Sequence, residues 1–424
     1  MRFLRALFCL VPCVLSAQEH WVATWAASQQ QYGTRATAPP PAPAPPPTPA
    51  PGTPGRRYPA PVPFVSLHNQ TVRMIARTSI GGSQVRIRLQ NALGLGTVQI
   101  GAAHIALRAD GGAISPATDR ALTFSGKPSA TLYAGQTLVS DPVALNLPPV
   151  SHLAVSLYIP GDAVGPTNHR FALHTTYISK EGDVTAQPNF PPAETRESWY
   201  WLAGIDVLAP PDAGALVTFG DSITDGDQSS LEADADWPDV LADRLQKSPA
   251  TAHLAVVNAG ISGNRLLGDN NGGLARLFHD ALDQPGIRWM TLLEGINDIT
   301  GGSQNGRTTI TADTLIAAYR QIIESAHLYG VKVIGCTLTP YAGSNVYSDY
   351  GESVREAVNQ WIRTGGAFDA VVDFDAATRD PDNPKRFRPE ADSPDLLHPS
   401  NPGYKIMGDA FDLKIFQPRT VNTK

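Results

Sequence analysis

The chain has 424 residues, of which 42% are hydrophobic and 17% are charged, and its formal net charge is −6. This length predicts two domains rather than one, and the apolar fraction excludes global disorder. The negative charge, together with the lack of any Lys/Arg run longer than a pair, disfavours a nucleic-acid-binding or membrane-surface protein.

Residues 1–17 have the pattern of a secretory signal peptide: a basic start, an apolar stretch, and Leu15-Ser16-Ala17 as a small-residue cleavage site. The apolar stretch is too short to span a bilayer, and Pro12 within it disfavours the alternative of a buried first helix. We therefore expect a secreted or periplasmic protein with no integral membrane segment in its mature chain. Only Cys336 would remain after cleavage, so no internal disulfide is expected, and its apolar surroundings predict a buried thiol.

Residues 18–210 are predicted to form an antiparallel β-sandwich domain. A strand predicted at 20–25 is followed by a Pro-rich run at 38–63, which fits a loop insertion and a flexible spacer equally well. Over 71–208, short apolar alternations are separated by Gly, Pro, Asp and Asn, as is typical of short antiparallel strands. The aromatic run at 198–201 is expected to pack mainly in the core, with stacking on sugars as the less favoured alternative.

Residues 211–424 are predicted to form a doubly wound parallel sheet of five strands, because strand and helix patterns alternate here. Helices are expected at 236–247, at 312–329 and, to close the domain, at 403–416. Sites in such sheets lie at the carboxyl ends of the strands. The five predicted strands are 216–219, 254–257, 289–293, 331–338 and 370–374.

Polar segments follow several of these strands. They are Gly220-Asp221-Ser222-Ile223-Thr224-Asp225-Gly226, Asn258-Ala259-Gly260-Ile261-Ser262-Gly263-Asn264, Gly295-Ile296-Asn297-Asp298 and Asp395-Leu396-Leu397-His398-Pro399. In this order, over 216–404, the four segments resemble the SGNH, or GDSL, serine esterase family. Any one of them alone would be a weak signal, whereas the four together are specific. The resemblance implies a flavodoxin-like SGNH hydrolase fold for this domain.

The residue types in these segments also predict a nucleophilic site. The Ser222 hydroxyl lies in a Gly-flanked turn after a buried strand, and a hydroxyl needs an adjacent base to act as a nucleophile. His398 is the expected base, since an imidazole titrates near ~6.5. Asp395, three residues earlier, is expected to accept from the other ring nitrogen and to fix its tautomer. Activity should therefore rise with pH as His398 loses its proton.

Donors for an oxyanion complete the predicted site. Gly260 offers a backbone N–H without a shielding Cβ, Asn297 offers a side-chain amide, and the N–H of Ser222 itself would be the third donor. The family resemblance implies the same oxyanion-hole roles for these positions. Three further polar residues are assigned to loop structure instead: Asp221, Thr224 and Asp298.

The sequence thus predicts a secreted serine carboxylic ester hydrolase with an acyl-enzyme mechanism. Acetyl or other short acyl groups on extracellular polysaccharide are one expected substrate class, and no nucleic-acid partner is expected. One alternative is a lipase or phospholipase, which would need an apolar acyl groove. Another is a non-catalytic glycan-binding protein that uses the sandwich. No metal and no cofactor is expected, because the chain has no His-Glu-x-x-His, no Cys/His cluster and no P-loop.

Overall fold

The computed structural model describes residues 19–30, 66–94, 96–268, 271–301 and 310–417. The signal peptide predicted at 1–17 and the Pro-rich run at 38–63 lie outside these residues, so both stay predictions. The described chain has an N-terminal region of antiparallel sheets and a C-terminal region around a parallel sheet.

The N-terminal region has two larger sheets whose apolar faces share one core. One sheet has the order β1-β15-β3-β8 with β9 also paired to β3, and the other has the order β13-β12-β2-β10-β5-β6. The predicted antiparallel sandwich is confirmed. The strands are β1 (Trp21–Ala26), β2 (Ser66–Arg77), β3 (Gly82–Gln90), β4 (Val98–Ile100), β5 (Ala102–Leu107), β6 (Arg120–Ala121), β7 (Ala130–Leu132), β8 (Thr137–Val139), β9 (Val143–Leu147), β10 (His152–Val164), β11 (Asn168–His169), β12 (Thr176–Ser179), β13 (Pro192–Arg196), β14 (Trp199–Tyr200) and β15 (Leu202–Leu208).

Successive side chains of β3 face opposite ways, as its alternating sequence dictates. On the outer face, Arg86 and Arg88 bind the buried carboxylate of Asp206 at 3.1 and 3.0 Å. The inner face packs in the core of the sandwich and consists of Val85, Ile87 and Leu89. The rings of the aromatic run at 198–201 are also buried in this core, which confirms the expectation for that run.

The C-terminal region contains the predicted parallel sheet of five strands. Its order is β17-β16-β18-β19-β20, so β17 is added on one side of β16 and the later strands on the other. Sheets of this order carry their sites at this change of side. The doubly wound architecture is therefore confirmed. The strands are β16 (Gly214–Gly220), β17 (Leu254–Gly260), β18 (Ile287–Leu293), β19 (Lys332–Cys336) and β20 (Ala370–Val372).

The helices begin and end largely where their capping residues predict. Asp236 caps α2 by accepting from the N–H of Asp239, with Pro238 in the first turn, and Gly330 follows the end of α5 with a φ of 70°. The closing helix is shorter than the predicted 403–416, because Asp412 caps a separate 3₁₀ turn. The helices are α1 (Ser222–Asp225), α2 (Trp237–Gln246), α3 (Gly273–Leu277), α4 (Ile296–Gly301), α5 (Ala312–Leu328), α6 (Asp349–Thr364), α7 (Phe374–Thr378) and α8 (Asn401–Asp409), with 3₁₀ turns at Pro116–Thr118 and Leu413–Phe416 and a π-helical turn at Phe278–Leu282.

The N-terminal region covers β17, the edge strand of the parallel sheet. The N–H of Val256 in β17 donates to the hydroxyl of Ser79, and the N–H of Ala23 in β1 donates to the carbonyl of Pro285, at 3.0 and 2.9 Å. An uncovered edge strand would leave unpaired backbone groups. The two regions are therefore joined by specific polar contacts. Over the described part of the chain, none of the helices combines the length and apolarity needed to cross a bilayer.

Candidate active site

Ser222 is the first residue of α1, directly beyond the carboxyl end of β16. Asp221 caps this helix by accepting from the N–H of Ile223, and Gly226 ends it with a φ of 98°. At the first position of a helix the N–H has no acceptor within the helix, and no described residue accepts from that of Ser222. The turn thus presents the hydroxyl and the free N–H of one residue together. Asp221 has the loop-bracing role expected for it.

The three residues of the predicted triad form one chain of hydrogen bonds. The Oγ of Ser222 lies 2.8 Å from Nε2 of His398, and Nδ1 of His398 lies 2.7 Å from Oδ2 of Asp395. The other oxygen of Asp395 accepts from the N–H groups of Leu397 and His398 and from the hydroxyl of Ser393. Because Asp395 accepts a hydrogen bond from Nδ1–H, Nε2 is left to accept from Ser222.

The charges around these hydrogen bonds shift the pKa values of His398 and Asp395. Burial lowers the pKa of His398, but its hydrogen bond to Asp395 and the negative charges of Asp227, Asp395 and Asp221 outweigh that effect, so the net shift is upward. Burial raises the pKa of Asp395, but the hydrogen bonds from His398 and Leu397 reverse this and hold it well below its usual range. Asp395 is therefore an anion beside an imidazole that readily accepts a proton.

Gly260 does not fit the oxyanion role predicted for it. Its N–H already donates to Oδ1 of Asn258 at 2.9 Å, so it is not free for a substrate. A Cβ at Gly260 would lie 2.3 Å from the backbone nitrogen of Asp225. A glycine is thus needed here because β17 packs closely against α1. The prediction that the Gly260 N–H is an oxyanion donor is wrong.

Gly263, three residues further on, is an exposed residue, and no described residue accepts from its N–H. On one side of it, Ser262 donates through its N–H and its hydroxyl to Oδ2 of Asp225, both at 2.7 Å. On the other side, the carbonyl of Asn264 accepts from Nδ2 of Asn297 at 2.8 Å. Gly263 is therefore held between the α1 turn and Asn297, with a φ of 79° that favours glycine.

Asn297 lies at the start of α4, beyond the end of β18, as the sequence predicted. One hydrogen of its amide goes to Asn264, and no described residue accepts the other. The neighbouring Asp298 accepts from the N–H groups of Leu266 and Leu267, at 2.7 and 2.9 Å, and so braces the loop as expected. Burial raises the pKa of Asp298 to about 6.

Arg276 lies beneath the site, and sequence reasoning missed it. Its fully buried guanidinium donates to the carbonyl of Gly220 at 2.8 Å and to that of Ala259 at 2.7 Å. It also donates to Oδ1 of Asn264 and lies 3.4 Å from the buried carboxylate of Glu294. Arg276 thus ties together the ends of three strands. Nothing in the pattern of α3 distinguishes it from a surface arginine.

His169 reaches the site from the N-terminal region and was also missed. Its Nε2 lies 2.9 Å from Oδ1 of Asp225, and its Nδ1 lies 2.7 Å from the carbonyl of Ser28. Both partners are acceptors, so the ring must carry two protons. Burial lowers the pKa of His169, but the charge of Asp225 and the hydrogen bonds to Asp225 and to the Ser28 carbonyl together outweigh this, and the net shift is upward. Because Asp225 also holds Ser262, His169 braces the loop of Gly263.

Residues 218–406 match the model of the GDSL-like Lipase/Acylhydrolase family. Among solved structures, a G-D-S-L family protein from Desulfitobacterium hafniense DCB-2 is 24% identical (TM-score 0.36), with 46% of this chain and 96% of that chain covered. Axe2, an acetylxylan esterase from Geobacillus stearothermophilus, is 23% identical (TM-score 0.37; 50% and 97% covered). A GDSL-like lipase from Bacteroides thetaiotaomicron VPI-5482 is 20% identical (TM-score 0.35; 48% and 87% covered). No curated protein matches this chain.

Proposed function

We infer that this chain, an SGNH hydrolase by its family match over residues 218–406, cleaves carboxylic esters with Ser222 as the nucleophile. The observation that carries this inference is the chain of hydrogen bonds from Asp395 through His398 to the Ser222 hydroxyl, with lengths of 2.7 and 2.8 Å. A hydroxyl hydrogen-bonded to an oriented imidazole is the arrangement that nucleophilic acyl transfer requires.

In the first step, Nε2 of His398 takes the proton of Ser222 as Oγ forms a bond to the acyl carbon. The imidazolium that forms is stabilised by the carboxylate of Asp395. His398 then gives this proton to the leaving alkoxide as the ester C–O bond breaks, which leaves the acyl group on Ser222.

The negative charge on the carbonyl oxygen needs donors that are in place before the reaction. The N–H of Ser222, the N–H of Gly263 and the unpaired amide hydrogen of Asn297 are proposed for this role. The tether from Asn297 to Asn264 supports it, because it fixes the amide beside the loop of Gly263.

In the second step, His398 takes a proton from water, and the resulting oxygen attacks the acyl carbon. The same donors stabilise the second oxyanion. Its collapse breaks the bond to Ser222, releases the carboxylic acid and returns the proton from His398 to the serine.

We propose short acyl groups on extracellular carbohydrate as the substrate class. The pattern of a signal peptide at 1–17 supports a location outside the cytoplasm. The groups that act on the site are polar, namely the Asn297 amide beside the loop of Gly263 and the Asp227 carboxylate near His398, and they support an alcohol portion rich in hydroxyls. A long apolar acyl chain would gain little from such surroundings.

Hydrolysis should be measured on p-nitrophenyl esters of increasing acyl length, on acetylated xylo-oligosaccharides and on phospholipid vesicles. We expect the highest kcat/KM on acetyl esters, release of acetate from the sugars, and a loss of roughly 10⁴-fold or more in Ser222→Ala. Ser230→Ala, at an exposed serine in the loop that follows α1, is the matched control and should retain activity.

Two results would argue against this proposal in different ways. Peak activity on long acyl chains or on phospholipid would replace the carbohydrate esterase with a lipase. Undiminished hydrolysis by a folded Ser222→Ala variant would remove the serine mechanism itself.

A further inference from the structure

A second cluster of chemically active side chains lies where the N-terminal region contacts the loop between α1 and α2. It consists of His152, at the start of β10, His174, just before β12, and Asp234 in the loop. We call these three residues the junction cluster. None of them belongs to the proposed catalytic machinery.

The nitrogen and oxygen atoms of the junction cluster converge on one point. Oδ1 of Asp234 lies 3.2 Å from Nε2 of His152 and 3.1 Å from Nε2 of His174, and the three ligand atoms lie within 4.8 Å of one another. Ligands bound at ~2.0–2.1 Å in a tetrahedron around zinc are separated by about 3.3–3.4 Å. The two separations from Asp234 are therefore close to those of a tetrahedral metal site, and the two imidazole nitrogens lie within 4.8 Å of each other.

The groups behind the cluster are those that orient metal ligands. Nδ1 of His174 lies 3.3 Å from Oε2 of Glu232, so the opposite nitrogen, Nε2, is directed toward Asp234. Glu232 is itself held by Arg108 at 2.6 Å and by the N–H of Thr175 at 2.7 Å. The second oxygen of Asp234 lies 3.2 Å from Nε of Arg77 and 3.0 Å from Nε2 of His152, whereas Oδ1 faces both imidazoles and no guanidinium group.

The charge of the surroundings also favours a cation. Among the groups in direct ion pairs here, four carboxylates face two guanidinium groups, which leaves two excess negative charges beside the two imidazoles. One divalent ion would balance them. The carboxylates are those of Glu232, Asp234, Asp239 and Asp243, and the guanidinium groups are those of Arg77 and Arg108.

The cluster has space for a fourth, non-protein ligand. His152 is 30% exposed in its side chain, and a cavity of about 50 Å³ borders His174 and Asp234. A single water needs only about 10–15 Å³ of such volume. Space for a water molecule therefore lies beside His174 and Asp234.

We propose that Nε2 of His152, Nε2 of His174 and Oδ1 of Asp234 bind one divalent transition-metal ion, with zinc as the best fit to this ligand set. Two ligands belong to the sandwich and one to the loop that follows α1, so the ion fastens the two regions together. No metal motif marks the site, because the ligands lie 22 and 60 residues apart along the chain. The ion stabilises the fold and takes no part in ester cleavage.

The first test needs no variant. Full-length protein purified without a histidine tag or chelator is analysed for all first-row metals, and metal-free protein is titrated with Co²⁺ and Zn²⁺. We expect about one ion per chain, visible absorption from four-coordinate Co²⁺, and displacement of Co²⁺ by Zn²⁺. Chelation should lower the Tm, and Zn²⁺ should restore it.

The second test asks which residues hold the ion. His152→Gln and Asp234→Asn should bind at least tenfold more weakly and should lose the Zn²⁺-dependent rise in Tm. His104→Gln is the matched control, since His104 faces a single carboxylate, Asp119, at 3.0 Å and belongs to no such cluster within the described chain.

Wild-type protein that binds neither Co²⁺ nor Zn²⁺ stoichiometrically would overturn the proposal. The excess negative charge would then be balanced by protons on the two imidazoles. Binding that is unchanged in both cluster variants would also overturn it. These results are independent of ester hydrolysis, so they would leave the proposed function untouched.

Discussion

The parallel-sheet region supplies its site residues from loops at strand ends, whereas the antiparallel region contributes buried histidines that contact those loops. Asp395 and His398 belong to the first kind: they are three residues apart and meet within one loop, 2.7 Å between atoms. His169 and Asp225 belong to the second kind, because 56 positions separate them and they meet only across the junction. The site thus combines a contact formed within one loop with a contact formed between the two regions.

The difference has an electrostatic side as well. The His398 ring has one acceptor and one hydroxyl as partners, so it can exchange a proton during a reaction. The His169 ring has two acceptors, so it holds its protons and serves as a fixed cation. The two histidines thus have different roles because their hydrogen-bond partners differ.

The largest effect expected within this comparison comes from Asn297→Ala, which removes a proposed oxyanion donor located beyond a strand end. We expect kcat to fall by roughly 10²–10³-fold with a smaller change in KM, because the amide would act mainly on the transition state. Steady-state kinetics on p-nitrophenyl acetate would measure this. Asn383→Ala, at an exposed asparagine that is not among the proposed site residues, is the control. An equal rise in KM with kcat unchanged would mean that Asn297 only binds substrate.

A smaller effect is expected from His169→Ala, which removes the support from the N-terminal region. Asp225 would lose its cationic partner and the loop of Gly263 would shift, so kcat should fall by about 10–10²-fold. His169→Gln keeps a donor for Asp225 and should recover part of the rate.

Ile105→Val, in the core of the sandwich, is the control that distinguishes lost positioning of the Gly263 loop from a general loss of protein stability. It should lower the Tm by removing one buried methylene and leave kcat near the wild-type value. If Ile105→Val reduced kcat as much as His169→Ala, the positioning role of His169 would be lost.

The smallest expected effect is a shift in the midpoint of the pH dependence of kcat/KM. The base must be neutral, and the net pKa shift of His398 is upward, so kcat/KM should rise with pH through a midpoint above the ordinary value of ~6.5. A profile from pH 5 to 9 on an aryl acetate would show this. A flat profile between pH 5 and 8, or a midpoint below the ordinary value, would contradict the assigned base.

Strand ends and the residues beyond them could be predicted because their signals are local. The alternation of strands and helices gave the parallel sheet, and the segments beyond β16 and β18 contained Ser222 and Asn297. Helix bounds agreed where a capping side chain defines them, as at Asp236. The end of the last helix was wrong, because Asp412 starts a new turn that apolar periodicity does not reveal.

The prediction of an oxyanion donor at Gly260 was also wrong because the deciding contact is not visible in the sequence pattern. Sequence shows that a glycine has no Cβ, but not whether its N–H is already used. The Asn258 side chain takes that N–H, and the backbone of Asp225 packs against the glycine. The second glycine of the segment, Gly263, could have been weighed from its position in an Ile-Ser-Gly-Asn turn.

By itself, the sequence predicted the fold class, the order of the loops that follow the parallel strands and the pairing of Asp395 with His398, because each depends on periodicity or on residues close along the chain. Only the tertiary structure decided how those loops are supported. Arg276 beneath three strand ends, His169 against Asp225 and the junction cluster all join residues distant in sequence. Burial of such polar groups is favourable only when partners are present, and the partners become known only once the chain is folded.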